Sequence, residues 1–407
     1  MRGASAWRTM SAVNSYLLRM KTPSVPTSPP TLATPEAMQG YINQRLETSG
    51  GWLPFDDFMA QALYAPNLGY YANERPKLGL MPSDGSDFVT APELTPVFGR
   101  TVAKQVAQAM TLCGVDEVWE FGGGTGALAA QLIDALLDSQ VPFKRYVIVE
   151  VSATLRARQQ ARLQAYASRV SVQWVTQWPD ALHAVVVGNE VLDAMPTKLL
   201  LRTKAGEWLE RGVALDAAQP HWQLQWEDRP TQLRPDFEVP AQLDYWVEWH
   251  QQAQAWLRSL GDCLKSGAAL LLDYGFTQAE YYHPQRHMGT LMCHYQHTSD
   301  TNPLVGVGLK DITVHVDFTA AAVAAQEAGL DVMGYTSQGR FLLNCGLVNE
   351  LPSATVGEQS NALKLVHEHE MGELFKVLAL VAPASTQAVN DGGGLLGFTQ
   401  FDRTHTL

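Results

Sequence analysis

Fifteen residues, VWEFGGGTGALAAQL from Val118 to Leu132, set an apolar run and a carboxylate against a cluster of glycines. Gly122, Gly124 and Gly126 allow a sharp turn and let a ligand approach backbone without Cβ interference. Helix-forming residues follow, so free N–H groups and the positive end of a helix dipole should face the same ligand. Two ligand classes fit. Read as G-x-G-x-x-A through Gly122, Gly124 and Ala127, the stretch is a dinucleotide fingerprint, with Glu150 spaced to bind a ribose. Read as E-x-G-x-G-x-G from Glu120, it is a loop for S-adenosylmethionine. Glu120 discriminates between them: a carboxylate there repels a diphosphate but can orient the cationic amino-acid end of S-adenosylmethionine. Glu150, closing VIVEVS, can accept hydrogen bonds from both ribose hydroxyls.

A second polar group closes an apolar run in VVVGNEVLDAMP. Polar residues where a buried strand ends are candidates for chemistry rather than packing. Asn189, Glu190 and Asp193 are expected at the cleft that holds the sulfonium, and Gln177 and Trp178 beside the adenine. Hydrolase and metal chemistries lack their patterns. There is no G-x-S-x-G elbow, His283, His287, His294 and His297 match no known metal spacing, and HEHEM lacks the second histidine of H-E-x-x-H. No metal is expected.

These residues need elements to carry them. From Asp116 the pattern alternates: DEVWEF, RYVIVEV, RVSVQWV, HAVVVGNEV and GAALLLDYG read as short buried strands, with helices over 127–138 and 153–166. VDFTAAAVAAQEAGL reads as a helix, and DVMGYT and FKVLALVA as closing strands. The pattern predicts a doubly wound α/β domain, in which ligands bind at the carboxyl ends of the strands. An insertion over 196–259 interrupts it after the fourth strand. There KLLLRTKAGEWLERGVAL reads as strand–turn–strand, WQLQWED as a further strand, and DYWVEWHQQAQAWLRSL as a helix. Trp222, Trp226, Trp246, Trp249 and Trp256 in this insertion are expected to pack it against the core, with a substrate-facing role as the rival reading. Residues 35–100 read as a helical lobe and a long cleft loop, 101–382 as the catalytic domain and 383–407 as a tail.

The chain has 407 residues, 46% of them apolar, enough for a large core. Its net charge of −12 argues against coating nucleic acid and is compatible with a small ligand or a basic protein partner. No apolar run reaches the roughly 18 residues of a membrane span. Cys113, Cys263, Cys293 and Cys345 form no paired motif and read as reduced thiols. Residues 1–34 carry arginines, many Ser and Thr and no acid. They read either as a mitochondrial transit peptide or as an extension ahead of a start at Met20. Bacterial cytoplasm and mitochondrial matrix both stay open.

Eight stretches, in their order and spacing, resemble one family: GYY (69–71), SDFVTAPELTPVFG (86–99), EFGGGTG, GNEVLDAMP, LLLDYG (270–275), GTLMCHYQH (289–297), DITVHVDFTA (311–320) and MGELFKVLAL (371–380). They look like the MidA-like S-adenosylmethionine-dependent methyltransferases, whose mitochondrial members are complex I assembly factors. The resemblance implies a class I, Rossmann-like methyltransferase fold with an N-terminal lobe and an insertion between strands 4 and 5. It implies S-adenosyl-L-methionine held at Glu120, Gly122, Gly124, Gly126 and Glu150, and a protein arginine acceptor on a core complex I subunit. A guanidinium stays protonated and is a poor nucleophile, so an arginine acceptor needs carboxylates. Glu190 and Asp193 are expected to grip it, with Glu93 or Asp87 assisting. The rival readings are a methyltransferase for a small molecule or RNA, a non-catalytic assembly module that keeps the fold, and a NAD-dependent oxidoreductase.

Overall fold

The computed structural model describes residues 34–407, apart from 74, 76, 78–86, 88 and 220. Residues 1–33 with Met20, and Ser86 and Phe88 of the cleft loop, lie outside the described residues.

A helical lobe opens the described chain. The Thr34 hydroxyl accepts the Ala37 N–H at 3.2 Å and caps the helix Pro35–Thr48. Strand β1 (Trp52–Pro54) leads into the helix Phe55–Tyr64, with Pro54 at its N-terminal boundary. Beyond the cleft loop come a one-turn helix, Ala91–Leu94, and the long helix Pro96–Cys113, which Gly114 ends at a φ of 65°.

The alternating part follows: β2 (Glu117–Phe121), helix Ala127–Asp138, β3 (Arg145–Val149), helix Ala153–Leu163, β4 (Ser171–Val175) and β5 (Leu182–Asn189). The insertion contributes β6 (Lys198–Arg202), β7 (Trp208–Leu215), β8 (Leu224–Pro230), β9 (Tyr245–Trp249) and the helix Gln251–Cys263. The chain then returns through the 13-residue β10 (Leu264–Phe276). A small sheet of β11 (Met292–Tyr295), β12 (Thr298–Asp300) and β13 (Asp311–Thr313) comes next, then β14 (Val316–Asp317), β15 (Asp331–Ser337) and β16 (Phe375–Val381).

The central sheet runs β15-β16-β10-β5-β2-β3-β4. The strands from β10 to β4 are parallel; β16 runs antiparallel between β10 and β15. Helices cover both faces, and Val185–Val187 and Ala268–Leu272 are fully enclosed, so the continuous Val and Leu runs are those of a sheet buried on both sides. Residues 383–407, read as a tail, pack: helix Pro383–Asp391 buries Val389, and Leu395 and Phe398 enter the core. Tyr335 of edge strand β15 pairs with this segment, its N–H on Asp402 and its carbonyl on the Arg403 N–H.

One expectation in the insertion is corrected. Tyr245–Trp249 form a strand, and the helix begins only at Gln251. Alternation decides it: Tyr245 and Val247 are buried, while Trp246 lies under the Arg211 guanidinium at 3.7 Å. Strand β7 pairs β6 through 208–211, β1 through 212–214, and β8 along its whole length. Lobe and insertion therefore share one sheet and one core, in which Phe55 packs on Trp226 and Trp222 donates to Asn43 at 2.6 Å. Among the described residues no helix is long and apolar enough to cross a membrane.

Candidate active site

The chain leaves β2 to build β3 and β4 on one side, then returns to place β5 on the other. Such a reversal opens a crevice at the carboxyl ends of the two strands beside it. Glu120 ends β2, and Asn189 and Glu190 end β5. A single cavity there is lined by Glu93, Glu120, Gly122, Gly124, Asn189, Glu190 and Asp193 among others.

The glycine loop turns through left-handed backbone, with φ of 67° at Gly122, 50° at Gly124 and 82° at Gly126. A Cβ at Gly122 would also crowd Val191 Cγ2 at 3.0 Å, but it is the left-handed backbone that favours glycine there. Glu120 is 2% exposed and accepts the Tyr146 hydroxyl at 2.9 Å. Burial pushes its carboxyl up to about 7, against the Tyr146 hydrogen bond, with Glu150 adding to the rise. Glu150 accepts the Ser152 N–H at 2.8 Å on Oε1 and the Gln159 amide at 2.9 Å on Oε2. Gln159 also reaches the Gly124 carbonyl at 2.9 Å and accepts the Trp174 indole N–H at 3.0 Å. This fully buried glutamine ties the loop to the ribose-type acid.

On the facing side, Glu190 takes a φ of 55°, which costs a non-glycine residue on the order of 1–3 kcal/mol. Its N–H on the Leu272 carbonyl (2.8 Å) and the Asn189 amide on its Oε1 (2.9 Å) hold it there. Asp273 reinforces the turn: one of its oxygens accepts the N–H groups of Val191, Leu192 and Asp193 at 3.1, 2.8 and 3.3 Å. Asp193 accepts the Tyr274 hydroxyl at 2.6 Å on Oδ2, while its Oδ1 is buried with no partner. Asp311, at the start of β13, completes the group, with the Tyr71 hydroxyl at 2.9 and 3.0 Å from its two oxygens. Burial raises all three acids, with Asp193 adding to the rise in the others: Glu190 and Asp311 reach about 8, and Asp193 shifts in the same direction.

The structure thus gathers Glu120, Gly122, Gly124, Asn189, Glu190, Asp193 and Glu93 around one cavity, with Gly126 further along the same loop and Glu150 tied to that loop through Gln159. Glu93 is committed within it, to the Thr125 hydroxyl and, at 3.3 Å, to Arg162. Three predicted residues stand elsewhere. Asp87 is buried and accepts the Tyr70 hydroxyl (3.0 Å) and the Gln296 N–H (2.7 Å). Trp178 packs its ring on Phe121 and Trp256 and does not line the cavity, and Gln177 is exposed. Tyr71, Tyr146, Gln159, Asp273, Tyr274 and Asp311 were not singled out by sequence reasoning. Asp273, Tyr274 and Asp311 fall inside LLLDYG and DITVHVDFTA, and GYY contains Tyr71, but nothing in the sequence marks Gln159.

Among the described residues, five acids line the cavity (Glu93, Glu120, Glu190, Asp193 and Asp311) and no lysine or arginine does. A diphosphate would find no lining cation to pair with. A ligand with a sulfonium and an ammonium finds charge complementarity, with the orphaned oxygens of Asn189 and Asp193 as acceptors. The residues present fit S-adenosyl-L-methionine.

Comparison with known proteins agrees. Residues 101–336 match the family model described as "Putative S-adenosyl-L-methionine-dependent methyltransferase". A crystal structure of a Burkholderia thailandensis protein bound to S-adenosyl-homocysteine is similar, with a TM-score of 0.85 and 42% identity, covering 93% of this chain and all of that one. Curated relatives include the "Protein arginine methyltransferase NDUFAF7 homolog, mitochondrial" of Caenorhabditis elegans, 24% identical over 92% of this chain and 94% of that protein. The Drosophila melanogaster protein of the same name is 26% identical over 86% of each. The fold is that of a class I methyltransferase, the cofactor is S-adenosyl-L-methionine, and the chain belongs to this MidA-like family of S-adenosyl-L-methionine-dependent methyltransferases.

Proposed function

We propose that the chain methylates the guanidinium of an arginine side chain in a protein. One observation carries this reading: Glu190, Asp193 and Asp311 meet in the cofactor cavity and form no ion pair with any described lysine or arginine. Buried acids without a cation call for one, and a guanidinium offers five N–H donors in a planar fork. Distant relatives named protein arginine methyltransferases support the same class of acceptor.

The cofactor supplies a methyl group on a positively charged sulfur. Everything else falls to the chain. Glu120 and the glycine loop orient the amino-acid end of the cofactor, and Glu150 the ribose. Glu190 and Asp193 grip the acceptor and draw its charge toward the nitrogens that do not react. The reacting nitrogen must lose a proton as it gains the methyl group, and the partnerless Asp193 Oδ1 is the atom placed to take it. Tyr71 joins the lobe to the core through Asp311, and the Tyr64 hydroxyl does so through the Ala194 carbonyl. A core subunit of complex I, the target implied by the family, remains the proposed protein partner.

The test is incubation of the protein with labelled S-adenosyl-L-methionine and an extract of cellular proteins, followed by mass spectrometry. A dominant methyl-arginine product is expected. Label confined to small molecules or to RNA would overturn the reading.

A further inference from the structure

The three acids of the acceptor side are oriented by neutral groups alone. Tyr274 donates to Asp193, Tyr71 to both oxygens of Asp311, and the Asn189 amide to Glu190. Hydroxyl and amide donors fix a carboxyl group without supplying a countercharge, so the cluster is preorganised with no cation in it. Asp193 is 4% exposed, and its Oδ1 has no partner, which marks a place for a donor from outside the chain.

Tyr71 differs from the others in origin. Glu190, Asp193 and Tyr274 lie at the ends of the central strands, but Tyr71 comes from the lobe, 240 residues before Asp311 in sequence. Its ring stacks on Tyr64 with centroids 5.5 Å apart and planes at 19°. The Tyr64 hydroxyl donates to the Ala194 carbonyl at 2.9 Å, on the residue next to Asp193. One pair of lobe tyrosines therefore braces Asp311 directly and the Asp193 segment through its backbone. With Tyr71 centred between its oxygens, Asp311 keeps free lone pairs on each, and it lines the same cavity as Glu190 and Asp193.

Resting on the arginine reading above, we propose that Asp311, oriented by Tyr71 of the lobe, is the acceptor-binding residue that selects a guanidinium over an ammonium. A planar fork of five N–H donors can engage several carboxylates at once, whereas an ammonium is a compact point charge with three donors. Asp311 is a binding residue in this assignment and Tyr71 a positioning residue.

The test is calorimetry on the full chain saturated with S-adenosylhomocysteine, titrated with butylguanidine and with pentylamine. Wild type should bind butylguanidine at least about tenfold tighter, the equivalent of one charge-assisted hydrogen bond. Tyr71→Phe and Asp311→Asn should each lower that preference about tenfold while leaving S-adenosylhomocysteine affinity unchanged. A preference kept in both variants overturns the assignment and leaves the arginine reading standing. Loss of S-adenosylhomocysteine affinity in step with the guanidine overturns it too, since the pair would then be a structural clasp. No guanidine binding by wild type overturns both.

Discussion

The Gln159 amide nitrogen lies 2.9 Å from Glu150 Oε2 and 2.9 Å from the Gly124 carbonyl. One buried side chain thereby fixes the distance between the two halves of the cofactor site, the glycine loop and the ribose-type acid. Gln159→Leu removes both bonds and the one accepted from the Trp174 indole, leaving the buried Glu150 oxygen short of a partner at a cost of about 1–3 kcal/mol. S-adenosylhomocysteine affinity should fall at least about tenfold by calorimetry, and thermal unfolding should occur at a lower temperature.

Glu120 and Tyr146 form a second such pair. The hydroxyl lowers a carboxyl that burial otherwise raises, leaving it at about 7. Tyr146→Phe removes the lowering contribution, so Glu120 should hold its proton to higher pH. In its proposed role Glu120 binds the cofactor's ammonium as the anion. The pH at which S-adenosylhomocysteine affinity reaches half its maximum should move upward in the variant, and an unchanged midpoint would separate Glu120 from the cofactor.

Glu190 combines left-handed backbone with a carboxyl raised to about 8. A raised carboxyl favours the folded state at acid pH and loses that contribution as pH rises through its folded value. Glu190→Gln should therefore gain thermal stability relative to wild type at pH 9 more than at pH 5, with no ligand present. It should keep S-adenosylhomocysteine affinity within about twofold and lose turnover by roughly a hundredfold or more, the range of a lost acid–base or charge-positioning group.

Binding of a guanidinium requires anions where the free pocket holds protons. Glu190 and Asp311, both raised to about 8, should release protons when the acceptor enters. Butylguanidine affinity should thus strengthen from pH 6 to pH 8 and level off above it. Calorimetry in buffers of different ionisation enthalpy measures the released protons directly.

Much of this site was legible in the sequence because β-strand ends advertise themselves. Glu120, the glycines, Glu150, Asn189, Glu190 and Asp193 each close an apolar run or follow one, and the sheet brings those ends together. Residues that act through side-chain packing across long sequence separations left no such mark. Gln159 sits within a polar helix and is buried only because Trp174 and the glycine loop close over it. Asp87 was misplaced for the opposite reason: its neighbours look like a site loop, but Tyr70 and the Gln296 backbone occupy both its oxygens. Trp178 follows β4 as an adenine contact would, yet its ring packs on Phe121 and Trp256 and does not line the cavity. The strand Tyr245–Trp249 was hidden because Trp249 stands three residues after Trp246 and four after Tyr245, a helical spacing over so short a run.

The most direct measurement is a crystal structure of the protein with S-adenosylhomocysteine and an arginine-containing peptide. The guanidinium should lie within hydrogen-bond distance of Glu190, Asp193 and Asp311, with Asp193 Oδ1 no longer without a partner. A peptide whose arginine lies outside that cavity, with the three acids unchanged, would contradict the account.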